Sequence, residues 1–383
     1  MQAAIWLYPW DLLDGGSALV LDDIAQRGVT AVHLAACYHS VLALLPHNPC
    51  RRTYLADRAA IYFHSRPEFW RECELVPTIS PLLLEQGDAL AAAGAACRER
   101  GLRLVAWTVC LHNTDLGLRY PAVNIVNVRG EGYRYSLCPA HPQVRTYLRA
   151  LVRDLRDRVD AIELESPHWI PFPHHQHAKL GIPVGAAARF LLNVCFCEHC
   201  GARTMQAGVD PEGLRARLAK RLDELLANPM SGSDDEQIGW LVTAEPDLEK
   251  VMTARRETVT SLMAELVEQA GATPIYIMPS GPDWLTGVDR AHVARLVERL
   301  EVLAYGSPSA VAAATREALG QAADAGRLAV GLSLLSPETP DRETCLVSVR
   351  AAREAGAQNI CFYNYGLASL ERLGWMQAAL KDT

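Results

Sequence analysis

The stretch Asp160–Cys200, DAIELESPHWIPFPHHQHAKLGIPVGAAARFLLNVCFCEHC, decides how the rest of the chain is interpreted. It begins as an apolar strand interrupted by two acids. Because a strand points alternate side chains to opposite faces, Ile162 and Leu164 share one face and Glu163 and Glu165 share the other. An unpaired buried carboxylate is costly. The two acids are therefore either structural groups held by an arginine or backbone amides, or groups that do chemistry.

Short apolar runs alternate with amphipathic helical stretches from end to end, which predicts an α/β fold. The predicted strands are Ala3–Tyr8, Ala31–Ala36, Leu102–Val109, the run that ends at Glu165, Pro274–Met278, Glu301–Ala304, Leu328–Leu332 and Asn359–Tyr363. Eight strands, each followed by a helix, predict a closed (β/α)8 TIM barrel. An open doubly wound sheet is the alternative, but the first turn, PWDLLDGG, lacks the glycine-rich pattern typical of that fold.

The stretches between these strands predict helices and two insertions. The predicted helices are Ala18–Arg27, Leu84–Arg100, Pro142–Arg158, Pro211–Ala227, Pro246–Gln269 and Leu367–Leu380. A long loop insertion follows strand 2, and the segment Thr114–Leu137 reads as a loop. Residues 205–270 form a helical insertion after strand 4, with a flexible joint at Asn228–Glu236. We interpret residues 1–383 as one barrel domain, and the charged insertion as a solvated face or a homo-oligomer surface.

In a barrel of this kind the active site lies at the carboxyl ends of the strands. The residues predicted to gather there and bind substrate are Tyr8, Trp10, Tyr38, His39, His112, Asn113, His168, Trp169, Trp284, Tyr305 and Asn364. Aromatic rings interspersed with hydrogen-bonding groups suit a sugar, because C–H groups pack on the rings and hydroxyls take the hydrogen bonds. On strand 3, either Trp107 or its neighbour Thr108 faces the interior.

Two carboxyl groups are needed to hydrolyse a glycosidic bond. Glu165 lies at the strand end, where a substrate reaches it, and is the predicted general acid. Glu163 lies one layer deeper and is predicted to be coupled to it. Asp283, after strand 5, is the predicted catalytic partner. Further candidate carboxylates are Glu338, Asp11 and Asp115, each of which is also a common loop or cap residue.

Cysteines and histidines suggest metal sites. The cluster Cys195-Phe-Cys197-Glu-His-Cys200 brings three thiols close together, and tetrahedral zinc needs four ligands. We expect Cys138 or a histidine such as His199 to be the fourth, and reduced thiols without metal are the alternative. A metal site at the two glutamates could instead use the loop histidines His168, His174, His175 and His177.

Composition excludes several classes of function. The chain has 383 residues, half of them apolar, and a net charge of −7, so it lacks the basic footprint of a nucleic-acid-binding protein. The amino-terminal sequence MQAAIWLYPWDLL resembles no signal peptide, and no apolar run reaches the length of a membrane span. Eleven cysteines, most of them in apolar segments, indicate reduced thiols in a cytoplasmic protein. No organic cofactor is expected.

The chain resembles glycoside-hydrolase-like (β/α)8 proteins. The resemblance rests on AWTVCLHNTDLG at residues 106–117, SLCPAHPQVRTYL at 136–148 and CFCEHC at 195–200. The cysteine spacing is similar to that of the zinc-bearing β-galactosidases of the same broad clan. In those enzymes a glutamate after strand 4 is the acid/base, a role that the resemblance gives to Glu165. Their nucleophile is a glutamate after strand 7, and here the nearest one, Glu338, lies several residues into the loop.

These observations lead to one main hypothesis and two alternatives. The main hypothesis is a carbohydrate-active enzyme that cleaves a glycosidic bond in a small glycoside. The first alternative is a metal-dependent sugar isomerase or lyase, with Glu163 or Glu165 and His168 as ligands. The second is a barrel that binds sugars without catalysis.

Overall fold

The computed structural model describes residues 2–174, 178–322 and 324–382, and these form a barrel of parallel strands surrounded by helices. Its eight strands in the described chain are β1 (Gln2–Leu7), β2 (Ala31–Tyr38), β3 (Arg103–Val109), β4 (Ala161–Glu165), β5 (Ile275–Met278), β6 (Arg299–Leu303), β7 (Leu328–Ser333) and β8 (Asn359–Tyr363). Each pairs with its sequence neighbours in parallel, and β1 pairs with both β2 and β8, which closes the sheet. The predicted (β/α)8 barrel is confirmed.

The helices have the bounds Pro9–Gly15, Ser17–Gln26, Pro81–Gln86, Ala89–Arg100, Thr114–Arg119, Pro142–Leu155, Ala186–Asn193, Glu198–Gln206, Pro211–Ala227, Asp234–Ala244, Asp247–Ala270, Asp283–Thr286, Arg290–Leu296, Pro308–Gln321, Arg342–Glu354 and Leu370–Lys381. Short 3-10 turns lie at Pro67–Phe69, Pro121–Val123 and Ala325–Arg327. Most of the predicted helices are found within a few residues of these bounds.

The single helix predicted over Leu84–Arg100 is wrong, because the chain breaks it at Gly87. This glycine has φ 96°, a conformation that other residues adopt at a cost. The next residue, Asp88, then starts a new helix by accepting a hydrogen bond from Ala91 N at 2.9 Å. A cap of this kind satisfies an N–H group that has no partner inside the helix.

Two segments between strands are more ordered than the sequence indicated. After β2, an antiparallel hairpin is formed by Val41–Leu44 and Thr53–Ala56, and Ala60–Ile61 pairs with the end of β2. The segment predicted as a loop between β3 and β4 contains a helix, Thr114–Arg119, and a hairpin of Asn124–Val126 with Gly132–Leu137. Both segments build up the barrel face at which the strands end.

The residues between β4 and β5 form helices with a hydrophobic core of their own. Leu214, Leu218 and Leu222 are buried in it together with Phe190 and Leu241. The joint predicted to be flexible includes the start of the helix Asp234–Ala244, which is capped by Ser233. The interpretation of 205–270 as an elaboration of a single domain stays a prediction. In the described chain no helix combines the length and the apolar character needed to cross a membrane.

The barrel has two distinct cores. One lies between the strands and the outer helices and is aliphatic, with residues such as Ile162 and Leu164 of β4. The other fills the interior of the barrel, which we call the lumen, and is aromatic: it contains Trp6, Tyr8 and Trp107. Ile162 and Leu164 face outward, so the alternate residues of β4 face the lumen, as the strand geometry requires.

Candidate functional site

Glu165 lies at the carboxyl end of β4 and faces the mouth of the lumen. Its Oε2 accepts a hydrogen bond of 2.7 Å from Trp107 Nε1 on the adjacent strand β3. Although the side chain keeps some exposure to solvent, its protein surroundings desolvate it, and this raises the pKa of Glu165 to about 7. Thr108 points away from the lumen and is fully buried. On strand 3 it is therefore Trp107 that reaches the site.

Three tyrosine hydroxyls form a connected group beside Glu165. The hydroxyl of Tyr8 donates to that of Tyr38 at 3.1 Å, and it lies 2.8 Å from that of Tyr363. The charge of Glu165 acts on both Tyr38 and Tyr363, where it contributes to raising their pKa values, although burial is the larger cause. Tyr305, which is 37% exposed, has its ring 6.1 Å from that of Tyr363. The mouth is thus lined by groups that are neutral hydrogen-bonding partners at pH 7.

Histidine rings extend this surface along the ends of β2, β3 and β4. The ring of His39 stacks on Tyr38 at 4.3 Å and lies 4.4 Å from the ring of His112. His112 in turn lies 4.7 Å from His174. Burial lowers the pKa of His39 and of His174, so both rings are neutral at pH 7. The predicted ligands His175 and His177 lie outside the described residues.

Glu163 lies one layer deeper and is fully buried. Its Oε2 accepts a hydrogen bond of 2.8 Å from Trp6 Nε1 and lies 3.0 Å from His33 Nδ1, so groups from β1 and β2 hold it across the lumen. Its Oε1 accepts no hydrogen bond from an N–H or hydroxyl group in the described chain, and the Glu301 carboxyl group lies within hydrogen-bonding reach of Glu163. Burial raises the pKa of Glu163 to about 7 and lowers that of His33 to about 4.

A third lumen acid, Glu301 of β6, was missed by sequence analysis. It is fully buried, and His33, Glu301 and Cys361 each offer a ligand atom within 4.8 Å of the others. Burial, reinforced by the charge of Glu163, raises the pKa of Glu301 well above its usual range. The alternation that identified Glu163 applies here too, because Leu300 is buried on the opposite face of β6.

A glycine makes room for the indole that holds Glu163. A Cβ atom at Gly331 of β7 would lie 2.8 Å from Leu303 Cδ2 and 3.0 Å from Trp6 Cη2. Both distances are shorter than ordinary van der Waals contacts. The absence of a side chain at this strand position therefore lets Trp6 lie across the lumen.

The backbone turns sharply directly after Glu165. Ser166 has φ 53°, which is uncommon for any residue with a side chain. Its hydroxyl lies 3.0 Å from that of Ser280, which follows β5. This contact joins the loops that leave β4 and β5, and it fixes the position from which the Glu165 side chain enters the mouth.

Several residues predicted to bind substrate are buried behind the mouth of the lumen instead. His168 is fully buried: its Nε2 accepts from Ser280 N at 3.1 Å and its Nδ1 lies 3.0 Å from Trp169 O. Both ring nitrogens are thus used, which leaves none for a sugar or a metal. Asn113 caps the helix Thr114–Arg119 through its Oδ1, and the Oδ1 of Asn364 accepts from Gly366 N. These contacts engage both ring nitrogens of His168 and the amide oxygens of Asn113 and Asn364.

Two predicted tryptophan platforms also face away from the mouth. Trp169 packs beneath Arg255, whose guanidinium carbon lies 4.2 Å from the ring centroid, and it is 1% exposed. Trp284 packs against Arg189 and Phe190 in the core of the insertion. Both residues stabilise the insertion.

Trp10 takes part in the aromatic packing of the lumen. It is fully buried, and its ring stacks 4.5 Å from that of Tyr8. Its Nε1 has no hydrogen-bond partner in the described chain.

The other predicted carboxylates are engaged in local contacts. Asp283 forms an ion pair with Arg290. Asp11 accepts from Tyr8 N at 2.8 Å, and Asp115 accepts from Arg119 Nε at 2.8 Å. Glu338 lies partly exposed in the loop after β7. The structure therefore groups Glu165 with Glu163 and Glu301 in the lumen, and gives Asp283 a different partner.

Four cysteine thiols come together beside the barrel. Cys138 Sγ lies 3.4 Å from Cys200 Sγ, 3.6 Å from Cys197 Sγ and 3.9 Å from Cys195 Sγ, and all four residues are buried. These distances match the edge of about 3.8 Å expected for a tetrahedron with metal–sulfur bonds of about 2.3 Å. The ring of His199 packs against another histidine. Of the two predicted fourth ligands, Cys138 completes a cluster that could bind a metal.

Comparison of the sequence with protein-family models and with curated proteins gave no match. Solved structures are similar to the barrel. The β-galactosidase from the psychrophilic Marinomonas ef1 superposes with a TM-score of 0.61 and 13% identity, covering 100% of this chain and 59% of that chain. The α-L-fucosidase isoenzyme 2 from Paenibacillus thiaminolyticus gives a TM-score of 0.62 at 13% identity, covering 100% of this chain and 49% of that chain. The fold is one found in glycoside hydrolases.

The catalytic domain of the β-amylase from Paenibacillus polymyxa is similar over almost its whole length. It superposes with a TM-score of 0.60 at 10% identity and covers 100% of this chain and 98% of that domain. The chain therefore spans about half of the fucosidase, three fifths of the galactosidase and nearly all of the amylase domain. At these identities the likeness establishes the fold.

Proposed function

We propose that the protein is a carbohydrate-active enzyme that cleaves a glycosidic bond in a small glycoside, with Glu165 as its general acid/base. The observation that carries the proposal is the position of Glu165. It is a desolvated carboxyl group at the end of β4, partly open to solvent, with a pKa near 7. The glycoside-hydrolase fold of the barrel supports the reaction class.

Glu165 has the properties that proton donation to a leaving group requires. A carboxyl group with a pKa near the working pH is protonated often enough to donate and is acidic enough to transfer its proton in the transition state. The Trp107 N–H group then stabilises the carboxylate that donation leaves behind, through its 2.7 Å hydrogen bond to Oε2. Trp107 also restricts the carboxyl group to one orientation.

The surfaces around Glu165 suit the hydroxyl groups and C–H faces of a sugar. The hydroxyl groups of Tyr38 and Tyr363 and the rings of His39 and His112 lie beside the mouth, and Tyr305 offers a partly exposed ring. Tyrosine hydroxyls and a neutral imidazole such as that of His39 both donate and accept hydrogen bonds. We assign substrate binding to this set and regard His168, Trp169 and Trp284 as structural.

Glu163 acts in this proposal as a positioning residue. It is fully buried beneath Glu165 and held by Trp6 and His33, so a substrate in the mouth does not touch it. Asp283 is not part of the proposed machinery, because its carboxylate pairs with Arg290. The proposal assigns proton donation to Glu165 and attack on the anomeric carbon to a water molecule, with no second carboxylate assigned.

We further propose that the four clustered thiols bind zinc in a structural role. Zinc prefers four tetrahedral ligands in such sites, and Cys138, Cys195, Cys197 and Cys200 provide them. The cluster links the hairpin before the helix Pro142–Leu155 to the start of the insertion. The cysteines of the described chain are free thiols, which suits a reducing compartment such as the cytoplasm.

The decisive experiment is a screen of chromogenic glycosides with the purified protein and the variant Glu165→Gln. The side chains are nearly the same size, but glutamine cannot donate an acidic proton. We expect kcat/KM to fall by about 10²- to 10⁴-fold, which is the usual contribution of general acid–base catalysis. The matched control is Asp283→Asn, for which we expect a change of less than roughly threefold because its carboxylate lies in an ion pair.

Three results would overturn the proposal. Full activity of folded Glu165→Gln would remove Glu165 from the mechanism. Sugar binding by the wild type, seen as a thermal shift, without any product would favour a non-catalytic binding barrel. Activity that depends on an added metal and isomerises or eliminates would favour a sugar isomerase or lyase.

The pH dependence gives a second test. Burial raises the pKa of Glu165 from its ordinary value of about 4.5 to about 7, so its proton is present below pH 7 and lost above it. We expect kcat/KM to fall as the pH rises through about 7. An activity that increases through this range would contradict a general acid at this position.

A further inference from the structure

The lumen contains a buried group of side chains that the proposed glycoside cleavage does not use. His33 of β2, Glu301 of β6 and Cys361 of β8 come from three separate strands, and one potential ligand atom of each lies within 4.8 Å of the other two. All three are at most 1% exposed. Since their strands are distant in sequence, only closure of the barrel brings them together.

Glu301 lacks the N–H or cationic partner that a buried acid usually has. Neither of its oxygens accepts a hydrogen bond from an N–H or hydroxyl group in the described chain, and its Oε2 lies 3.8 Å from His33 Nδ1, beyond hydrogen-bonding distance. The Glu163 carboxyl group and the Cys361 thiol lie within hydrogen-bonding reach of it, so its neighbours are a second acid and a thiol. Buried carboxylates are normally paired, hydrogen-bonded or bound to a metal. This acid is therefore aimed at groups that are themselves able to ligate a metal.

We propose that His33, Glu301 and Cys361 bind a divalent transition-metal ion of the zinc type inside the barrel. Imidazole, carboxylate and thiolate together suit zinc and its first-row neighbours, whereas calcium and magnesium prefer oxygen ligands alone. Tetrahedral bonds of about 2.0–2.3 Å place ligand atoms about 3.3–3.8 Å apart, so modest inward rotations bring these three ligand atoms to the spacing that a tetrahedral site requires.

Glu163 borders this metal site. Its Oε2 atom lies 3.0 Å from His33 Nδ1 and is itself held by Trp6 Nε1. Because His33 Nδ1 is also the nitrogen that lies 3.8 Å from Glu301 Oε2, both acids face the same edge of the ring. An ion bound at Nδ1 therefore replaces the proton between His33 and Glu163, and Glu163 is placed to be the fourth ligand that tetrahedral zinc needs.

The charges of the lumen balance when the ion is present. Ionised Glu163 and Glu301 and the Cys361 thiolate carry three negative charges, and a divalent ion supplies two positive ones. Arg299, at the start of β6, acts electrostatically on all three of these groups and supplies the third. The guanidinium carbon of Arg299 lies 4.7 Å from the ring centroid of Tyr276. This contact holds Arg299 at the end of the lumen where the strands begin.

The test counts metal ions per chain. Wild-type protein and variants are produced in medium supplemented with Zn²⁺, purified under reducing conditions, freed of loosely bound metal by desalting, and analysed by mass spectrometry for zinc. Because the ligands are buried, the ion has to be acquired during folding, so supplementation precedes purification. Circular dichroism and gel filtration establish that each variant is folded.

We expect Glu301→Gln and Cys361→Ser each to hold about one zinc per chain fewer than the wild type. Cys345→Ser is the matched control, because Cys345 is also a buried thiol but lies outside both clusters, and we expect no loss. The double variant Cys197→Ser/Cys200→Ser dismantles the cysteine cluster, and we expect it to retain about one zinc.

Two outcomes would overturn the inference. One is an unchanged zinc content in a folded lumen variant. The other is the absence of zinc from the double cysteine variant, which keeps the lumen ligands intact and so decides the question even if the lumen variants fail to fold. Neither outcome depends on glycosidase activity, so a failure here is distinguishable from a failure of the proposed function.

Discussion

The cysteine cluster beside the barrel and the lumen cluster inside it both gather potential metal ligands but are assembled in opposite ways. Three of the four thiols lie within Cys195–Cys200, and only Cys138 comes from a distance. The lumen ligands His33, Glu301 and Cys361 come from three strands spread over most of the chain. A cluster that is local in sequence constrains one loop, whereas a cluster built from separate strands depends on the whole barrel.

The largest expected effect is the loss of thermal stability of the protein when a ligand of the cysteine cluster is removed. If the cluster holds zinc, Cys200→Ser removes a ligand and with it much of a binding free energy that stabilises the folded chain. We expect the melting temperature to fall by on the order of 10 °C. Thermal unfolding under reducing conditions, with Cys345→Ser as the control, measures this. An equal effect of both substitutions would mean that the thiols merely pack.

A smaller effect is expected where the lumen is crowded. Gly331→Ala places a Cβ atom 2.8 Å from Leu303 and 3.0 Å from Trp6, so the neighbours have to move. Such overpacking costs roughly 1–3 kcal/mol of unfolding free energy. Denaturant titration measures the loss. The control is Gly239→Ala on an exposed helix, where a Cβ meets nothing within 4 Å. We expect that substitution to raise the unfolding free energy by roughly 0.5–1 kcal/mol. A change of the same sign in both variants would contradict the expected contrast between the lumen and the exposed helix.

The smallest expected effect is on the pKa of Glu165, whose carboxyl group at the mouth accepts a hydrogen bond from Trp107 in the lumen. Trp107→Phe removes the N–H group that stabilises the carboxylate form of Glu165. The pKa of Glu165 should therefore rise, and the alkaline limb of kcat/KM should move to higher pH by up to about one unit. Comparison of the two pH profiles measures this shift. A limb that stays in place would show that Glu165 is not the group that titrates.

Much of the barrel was predictable because each strand carries its own signal. Runs such as Asn359–Tyr363 are apolar, short and bounded by turn residues, so their positions follow from local composition. The alternation of side chains along β4 likewise places Glu163 and Glu165 on one face. Helix breaks were less predictable, since the break at Gly87 depends on a backbone conformation and a cap.

The part of the site that escaped prediction did so for two physical reasons. The predicted sixth strand began at Glu301, which placed that acid at a terminus, whereas β6 begins at Arg299 and buries Glu301 at its centre. His168 and Trp169 follow Glu165 closely in sequence, but the turn at Ser166 carries them behind the rim. Which way a loop side chain points depends on contacts with distant segments, such as Ser280 for His168.

The left-handed backbone at Ser166 has a consequence for engineering the protein. Glycine, asparagine and aspartate tolerate this conformation, whereas a β-branched residue is strained in it. A randomised library at position 166 should therefore yield a narrow set of folded clones, enriched in those three residues and serine. Mutations intended to alter what the mouth binds should avoid residues 166–170, which are buried, and begin at Pro171, where the chain becomes partly exposed to solvent.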